Sequence, residues 1–169
     1  MSKDYNVFLK YPENIKASDF ESFAYKQGYF IRVFPSENYT AHSGFLPFNL
    51  YLNFIDRILP YDSFVSGFET YFSDYRSQDY DGEFNSLVNN PKSVMLMCIS
   101  DMDSLEELSA LIWAEYLCEY CGGVLYDPQT DTLFSDSSVI DALIYRQKEE
   151  LIRLSAQNAL KLHEFTGWK

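Results

Sequence analysis

Apolar and polar residues recur along this chain with two different periods, and the switches between them mark its elements. Asn6–Tyr11 (NVFLKY) reads as a short strand stopped by Pro12. Over Lys16–Gln27 the period lengthens: Phe20, Phe23, Ala24 and Gln27 fall at helical spacing. Ser18 with Glu21 three residues on forms a candidate capping box, and Gly28 stands where a glycine ends a helix. Tyr29–Phe34 (YFIRVF) then reads as a strand, closing a first β-α-β unit.

The second half repeats that plan. Val94–Ser100 (VMLMCIS) is nearly all apolar and of strand length, the pattern of a strand buried on both faces. Asp103 or Ser104 can cap a helix to Cys121, with Leu108, Leu111, Ala114, Cys118 and Cys121 on one stripe and Gly122-Gly123 closing it. Val124–Asp127 and Thr132–Ser135 flank a hairpin-like turn at Pro128–Asp131. Between the halves, roughly 39–90, lies an aromatic-rich insertion. In it Phe48, Leu50, Leu52 and Phe54 alternate with polar or tyrosine positions, as in a half-buried strand. Phe64, Phe68 and Phe72 recur every fourth residue, which suggests a helix, and 73–90 reads as an acidic surface loop. A last helix, about 137–165, carries Ile140, Ile144, Leu151, Leu154 and Leu162. At that length it would span roughly 40 Å, and it is a candidate homodimer surface.

Two β-α-β units in one chain predict an α+β fold, a ferredoxin-like β-α-β…β-α-β sandwich with the insertion and a long C-terminal helix added. Other mixed sheets with helices on one face fit the same pattern. The 169 residues are expected to form one domain (1–169), with 47% hydrophobic residues to supply its core. No apolar run is long enough for a membrane span and no secretory leader is evident. Three cysteines in such a chain are expected to stay reduced, which predicts a cytoplasmic protein.

Charge sharpens the picture. Ser93–Tyr145 holds no Lys, Arg or His but ten carboxylates, so it alone carries −10; residues 1–92 carry −4 and 146–169 carry +2, for a total of −12. A one-sign field of this kind steers a basic partner and disfavours nucleic acid. Two patches are candidate partner-binding surfaces. Asp101, Asp103, Glu106 and Glu107 cluster at a helix start, where complementing the helix dipole is an equally good explanation. Asp74, Asp79, Asp81 and Glu83 are interleaved with Tyr75 and Tyr80, and rigid aromatics among steering charges suit a protein interface.

Other constellations carry less. Cys118-Glu119-Tyr120-Cys121 has C-x-x-C spacing, but it sits at a helix C-terminus, where the dipole raises thiol pKa, and no second pair completes a zinc site. Asp101-Met-Asp103 and Asp127–Asp131 are too sparse for calcium. No glycine-rich phosphate cradle occurs. No cofactor or metal is therefore expected. His42 lacks spaced catalytic partners, so an enzyme is not expected.

The passage Leu117–Gln129 (LCEYCGGVLYDPQ), a helix followed by Gly-Gly, a strand and Asp-Pro-Gln, resembles one found in small bacterial α+β proteins. Some of these are encoded as immunity proteins beside polymorphic or contact-dependent toxins. The resemblance implies an inhibitor that binds and neutralises a basic cognate toxin domain, often a nuclease. The alternatives are a DNA-mimic inhibitor of a nucleic-acid-binding protein and a small enzyme using His42.

Overall fold

All seven strands of this α+β protein join a single antiparallel sheet, in the order β2-β3-β4-β5-β1-β6-β7. The computed structural model describes residues 2–100 and 103–168. The elements run β1 (Ser2–Leu9), α1 (Ala17–Lys26), β2 (Phe30–Val33), β3 (Gly44–Tyr51), β4 (Phe64–Asp74), α2 (Gly82–Leu87), β5 (Ser93–Ser100), α3 (Ser104–Tyr120), β6 (Val124–Asp127), β7 (Thr132–Phe134) and α4 (Ser137–Ala156). The insertion does not form a separate lobe. It supplies β3 and β4 to the main sheet, so β1 and β2 are separated by three strands.

Register assigns each strand residue to a face, because cross-strand partners point the same way. On one face Tyr5, Val7, Ile31, Val33, Phe48, Phe64, Phe68, Met95, Met97 and Leu125 are buried in the main core. That face is covered by α1, α3 and α4. Trp113 of α3 is at its centre, with Phe20 at 4.9 Å, Tyr39 at 5.5 Å and Phe48 at 5.7 Å between ring centroids. Helix α3 is buried without a break from Leu108 to Leu117, rather than along the single stripe its spacing suggested.

Three sequence expectations change. Residues 64–72 are strand, not helix: a spacing of four is also twice the strand period, so Phe64, Phe68 and Phe72 line one face of β4 as well as they would a helix. The Ser18–Glu21 capping box is not used; α1 starts two residues earlier, behind Lys16, with no side-chain cap. The last helix stops at Ala156 instead of running to about 165. Asn158 takes the left-handed conformation (φ +53°), and its N–H and that of Ala159 bond to the carbonyls of Ser155 and Leu154, a Schellman ending that the sequence does not flag with a glycine. The chain then turns back along the sheet, where Glu164 bridges to Phe64 and Val65 N–H donates to the His163 carbonyl.

Two features of this packing are testable. Gly67 of β4 has φ +152°, and a Cβ there would meet the Leu46 carbonyl oxygen at 2.3 Å and the Phe45 ring at 2.8 Å; Gly82 has neither constraint. Urea unfolding is therefore expected to show Gly67→Ala destabilised by at least ~2 kcal/mol and Gly82→Ala by nothing measurable. Equal midpoints for the two variants would contradict the close approach of β3 to β4.

The second feature is Glu115, 2% exposed within α3, one of whose oxygens has no partner. Burial, then a hydrogen bond and charge from Asp141 on α4, then Glu119, push its carboxyl from 4.5 to about 8. The folded chain thus holds a proton that the unfolded chain releases, so stability should fall as pH rises from about 4.5 to about 8 and level off above. Each unit of pKa is worth ~1.4 kcal/mol. Relative to the native chain, Glu115→Gln should gain at least ~3 °C in thermal midpoint between pH 5 and pH 8; parallel pH profiles would refute the raised Glu115 pKa.

Candidate functional site

The carboxylates expected to meet a partner are held at opposite ends of β5. Asp74 pairs across from Ser93, the first residue of that strand, whereas Asp103, Glu106 and Glu107 follow its last residue, Ser100. Seven steps of ~3.4 Å put about 24 Å between the two ends of the strand. Asp101 lies outside the described residues.

Most of these acids also have work inside the molecule. Asp103 caps α3, accepting the N–H groups of Leu105 and Glu106 at 3.1 and 3.0 Å. Glu107 accepts the Lys3 ammonium at 2.7 Å and the Tyr5 hydroxyl at 2.8 Å. Asp81 caps α2 through the Phe84 N–H at 2.7 Å. Tyr75 and Tyr80 are half-buried: they stack on each other at 5.3 Å, Tyr80 stacks on Phe84 at 4.9 Å, and all three rings pack against Phe8. The segment read as a loop is thus a folded lobe closing a second apolar cluster of Phe8, Val88 and Val94. Asp74, Asp79 and Glu83 remain exposed, with no hydrogen bond or ion pair from their carboxylates among the described residues.

That second cluster is on the sheet face away from the three large helices, since Phe8 and Val94 are cross-strand partners in the register set that excludes Val7 and Met95. The lobe covers only one end of this face. Over β2 and β3 the face is covered by the C-terminal tail: Phe165 and Trp168 lie 5.7 and 6.0 Å from the Arg32 guanidinium, Trp168 packs on Phe34, and Arg32 donates to Asn49 Oδ1. Between lobe and tail no described helix or loop covers a strip of the sheet. Its cross-strand rows are Phe45–Glu69–Cys98–Asp4 and Tyr71–Leu96–Asn6. Phe45 is 50% and Tyr71 40% exposed.

The strip is acidic and aromatic. Tyr71 donates its hydroxyl to Glu69 Oε2 at 3.0 Å, and this bond raises its pKa. Burial and a hydrogen bond to Asp4 push the Cys98 thiol up to about 11, so it is a neutral donor, not a nucleophile. One Asp4 oxygen is buried without a partner. At the end of the strip a hollow of about 300 Å³ opens among Phe45, Glu69, Cys98, Ser100 and Glu106, and among the described residues no Lys or Arg lines it. Glu106 lines this hollow where the ladder ends. In register, the Ser100 N–H would face Gly67 of β4; instead it donates to Glu106 Oε2 at 2.7 Å, and the β4–β5 ladder stops at Glu69–Cys98. Burial raises the Glu106 pKa, and Asp103 and Glu69 add to the shift, partly offset by the Ser100 N–H.

The strip escaped the sequence reading because its residues come from four strands at alternate positions, and only the register brings them together. The remaining candidates occupy simpler settings. His42 Nε2 lies 2.8 Å from the Phe45 carbonyl oxygen, and no carboxylate bonds to it among the described residues. Burial pushes Cys118 and Cys121 each up to about 12. Among the described residues, no group of three or more His, Cys, Asp or Glu is arranged to hold a metal ion, and no helix is long and apolar enough to cross a membrane. Comparison with protein-family models, with curated proteins and with solved structures gave no match.

Proposed function

We propose that this protein is a stoichiometric binder of a basic protein, an immunity- or antitoxin-type inhibitor that neutralises a cognate toxin domain such as a nuclease. Its place of action would be the cytoplasm, where such a toxin meets its target. The reading rests chiefly on how the carboxylates are satisfied. Against 25 Asp and Glu, the described residues form three ion pairs: Lys3–Glu107, Lys92–Glu13 and Arg153–Glu150. The others that are bonded use backbone N–H groups, as Asp81, Asp103, Asp127 and Asp136 do, or hydroxyls, as Asp131 does with Tyr126. Such bonds hold a carboxylate in place without cancelling its charge. The field of the −12 chain is thus left for an outside cation to meet, and it would accelerate encounter with a basic surface.

Acids divided between the two ends of β5 suit a compact partner better than they suit mimicry of a continuous phosphate row. The fold proposed for this role is a ferredoxin-like plan with two strands inserted into its sheet. β5 and β6 flank β1 with α3 crossing between them, and the β3–β4 pair is interposed between β2 and β5.

The test is capture of neighbouring-gene products on the immobilised protein, followed by association kinetics with any basic protein retained. Association should slow by at least ~10-fold between low and high ionic strength. It should also slow for the double variant Asp79→Lys/Glu83→Lys, whose unfolding midpoint should match the native one because neither side chain has an internal partner. A rate indifferent to salt, or retention only of acidic proteins, would overturn the reading.

A further inference from the structure

We propose that the strip of the sheet between lobe and tail, with the hollow at its end, is the seat for an arginine side chain presented by the partner protein. This rests on the binding reading above and names the surface and the chemistry it recognises.

Charge complementarity selects the occupant. Glu69 and Glu106 line the hollow, Asp4 adjoins it in the Phe45–Glu69–Cys98–Asp4 row, and among the described residues no Lys or Arg lines it. Glu69 is near enough to raise the Glu106 pKa, so the two carboxylates repel each other across the hollow and a cation between them would relieve that. The walls select among cations. Phe45 and Tyr71 are partly exposed aromatic side chains beside the carboxylates, the setting in which a planar guanidinium can stack and fork to oxygen acceptors at once. A lysine ammonium can use the charge but not the plane. The volume of about 300 Å³ admits one such side chain and not a folded segment, so the partner's main chain would lie over Tyr71 and Leu96, between the α2 lobe and the tail.

Several acids here already have internal bonds, and these do not close the site. Tyr71 occupies one oxygen of Glu69, and the Ser100 N–H and hydroxyl engage Glu106. A carboxylate has about four acceptor sites, so both remain able to accept further donors. Those internal bonds hold the acceptors in place before the ligand arrives, which lowers the ordering cost of binding.

The experiment needs no partner. The isotopically labelled full chain is titrated with a blocked Gly-Arg-Gly peptide, with its lysine analogue, and with its citrulline analogue, which keeps the shape without the charge. Saturable amide shifts are expected at Glu69, Tyr71, Cys98, Ser100 and Glu106. Binding should be at least ~3-fold weaker for the lysine peptide and undetectable for citrulline. Glu69→Gln should weaken the arginine peptide by at least ~3-fold, and Phe45→Ala should erase the preference of arginine over lysine while leaving charge-dependent binding.

Shifts centred on Asp74–Glu83, equal shifts from the citrulline peptide, or none that saturate by ~20 mM would each overturn the proposal. If the peptide fails at the strip while Asp79→Lys/Glu83→Lys still slows capture of a basic protein, the binding function stands and only this seat is wrong. If the peptide binds at the strip but no basic protein is captured, the seat stands and the inhibitor reading falls.

Discussion

The all-round burial of α3 is the constraint from which the rest of the architecture follows. A helix buried on every side from Leu108 to Leu117 cannot rest on a sheet with its back to water; it needs cover on all flanks. The sheet lies beneath it, α1 is on one flank through Phe20 and Phe23, and α4 is on another through Ile140, Ile144 and Leu151. All three long helices are thereby committed to one face. The other face is left with what the chain has to spare: a six-residue helix with its loop, and the tail after α4. Neither is large enough to meet the other across the sheet, so the strip between them stays open.

The parts of the fold legible in the sequence are those where local chemistry and tertiary context agree. The apolar run of β5, the helix after Asp103 and the glycine stop of α1 at Gly28 were readable because a central strand, an N-cap and a left-handed C′ residue each leave a local mark. The misread parts are those where one pattern serves two structures. Phe64, Phe68 and Phe72 satisfy both the helix and the strand period; Gly67 in their midst marks a strand where another backbone comes close. For α4, polarity gave no stop, since Leu160 and Leu162 continue the apolar count past the helix. They are half-buried against the core from an extended tail, so burial was readable and backbone conformation was not.

The candidate site was legible in its charge and not in its location. An acidic stretch without a base predicts a field, and the structure leaves that field largely uncompensated by internal cations. Yet the block contributes unevenly to open surface: Asp103, Asp127 and Asp136 bond backbone N–H groups, and Glu115 is sealed against Asp141. Two acids of the strip, Asp4 and Glu69, lie outside the block altogether. Linear charge counts cannot find them, because register, not sequence distance, sets Asp4 opposite Cys98 and Cys98 opposite Glu69.

Glu106 shows why fold and site are hard to separate here. Its carboxylate takes the Ser100 N–H, which the ladder would otherwise direct to β4, and the sheet is interrupted where it does so. A backbone carbonyl in that place would close the ladder and fill the hollow; a carboxylate satisfies the same donor while leaving space and negative charge beside it. Burial makes that choice costly and nearby Asp103 and Glu69 add to the cost, partly offset by the bonds from Ser100. Glu106 also satisfies Ser100 and adds an acid to the first turn of α3, so it supports the helix start while adding like charge beside the hollow. That combination fits a surface whose like charges are held apart by the fold and brought to balance only when a cation enters from outside.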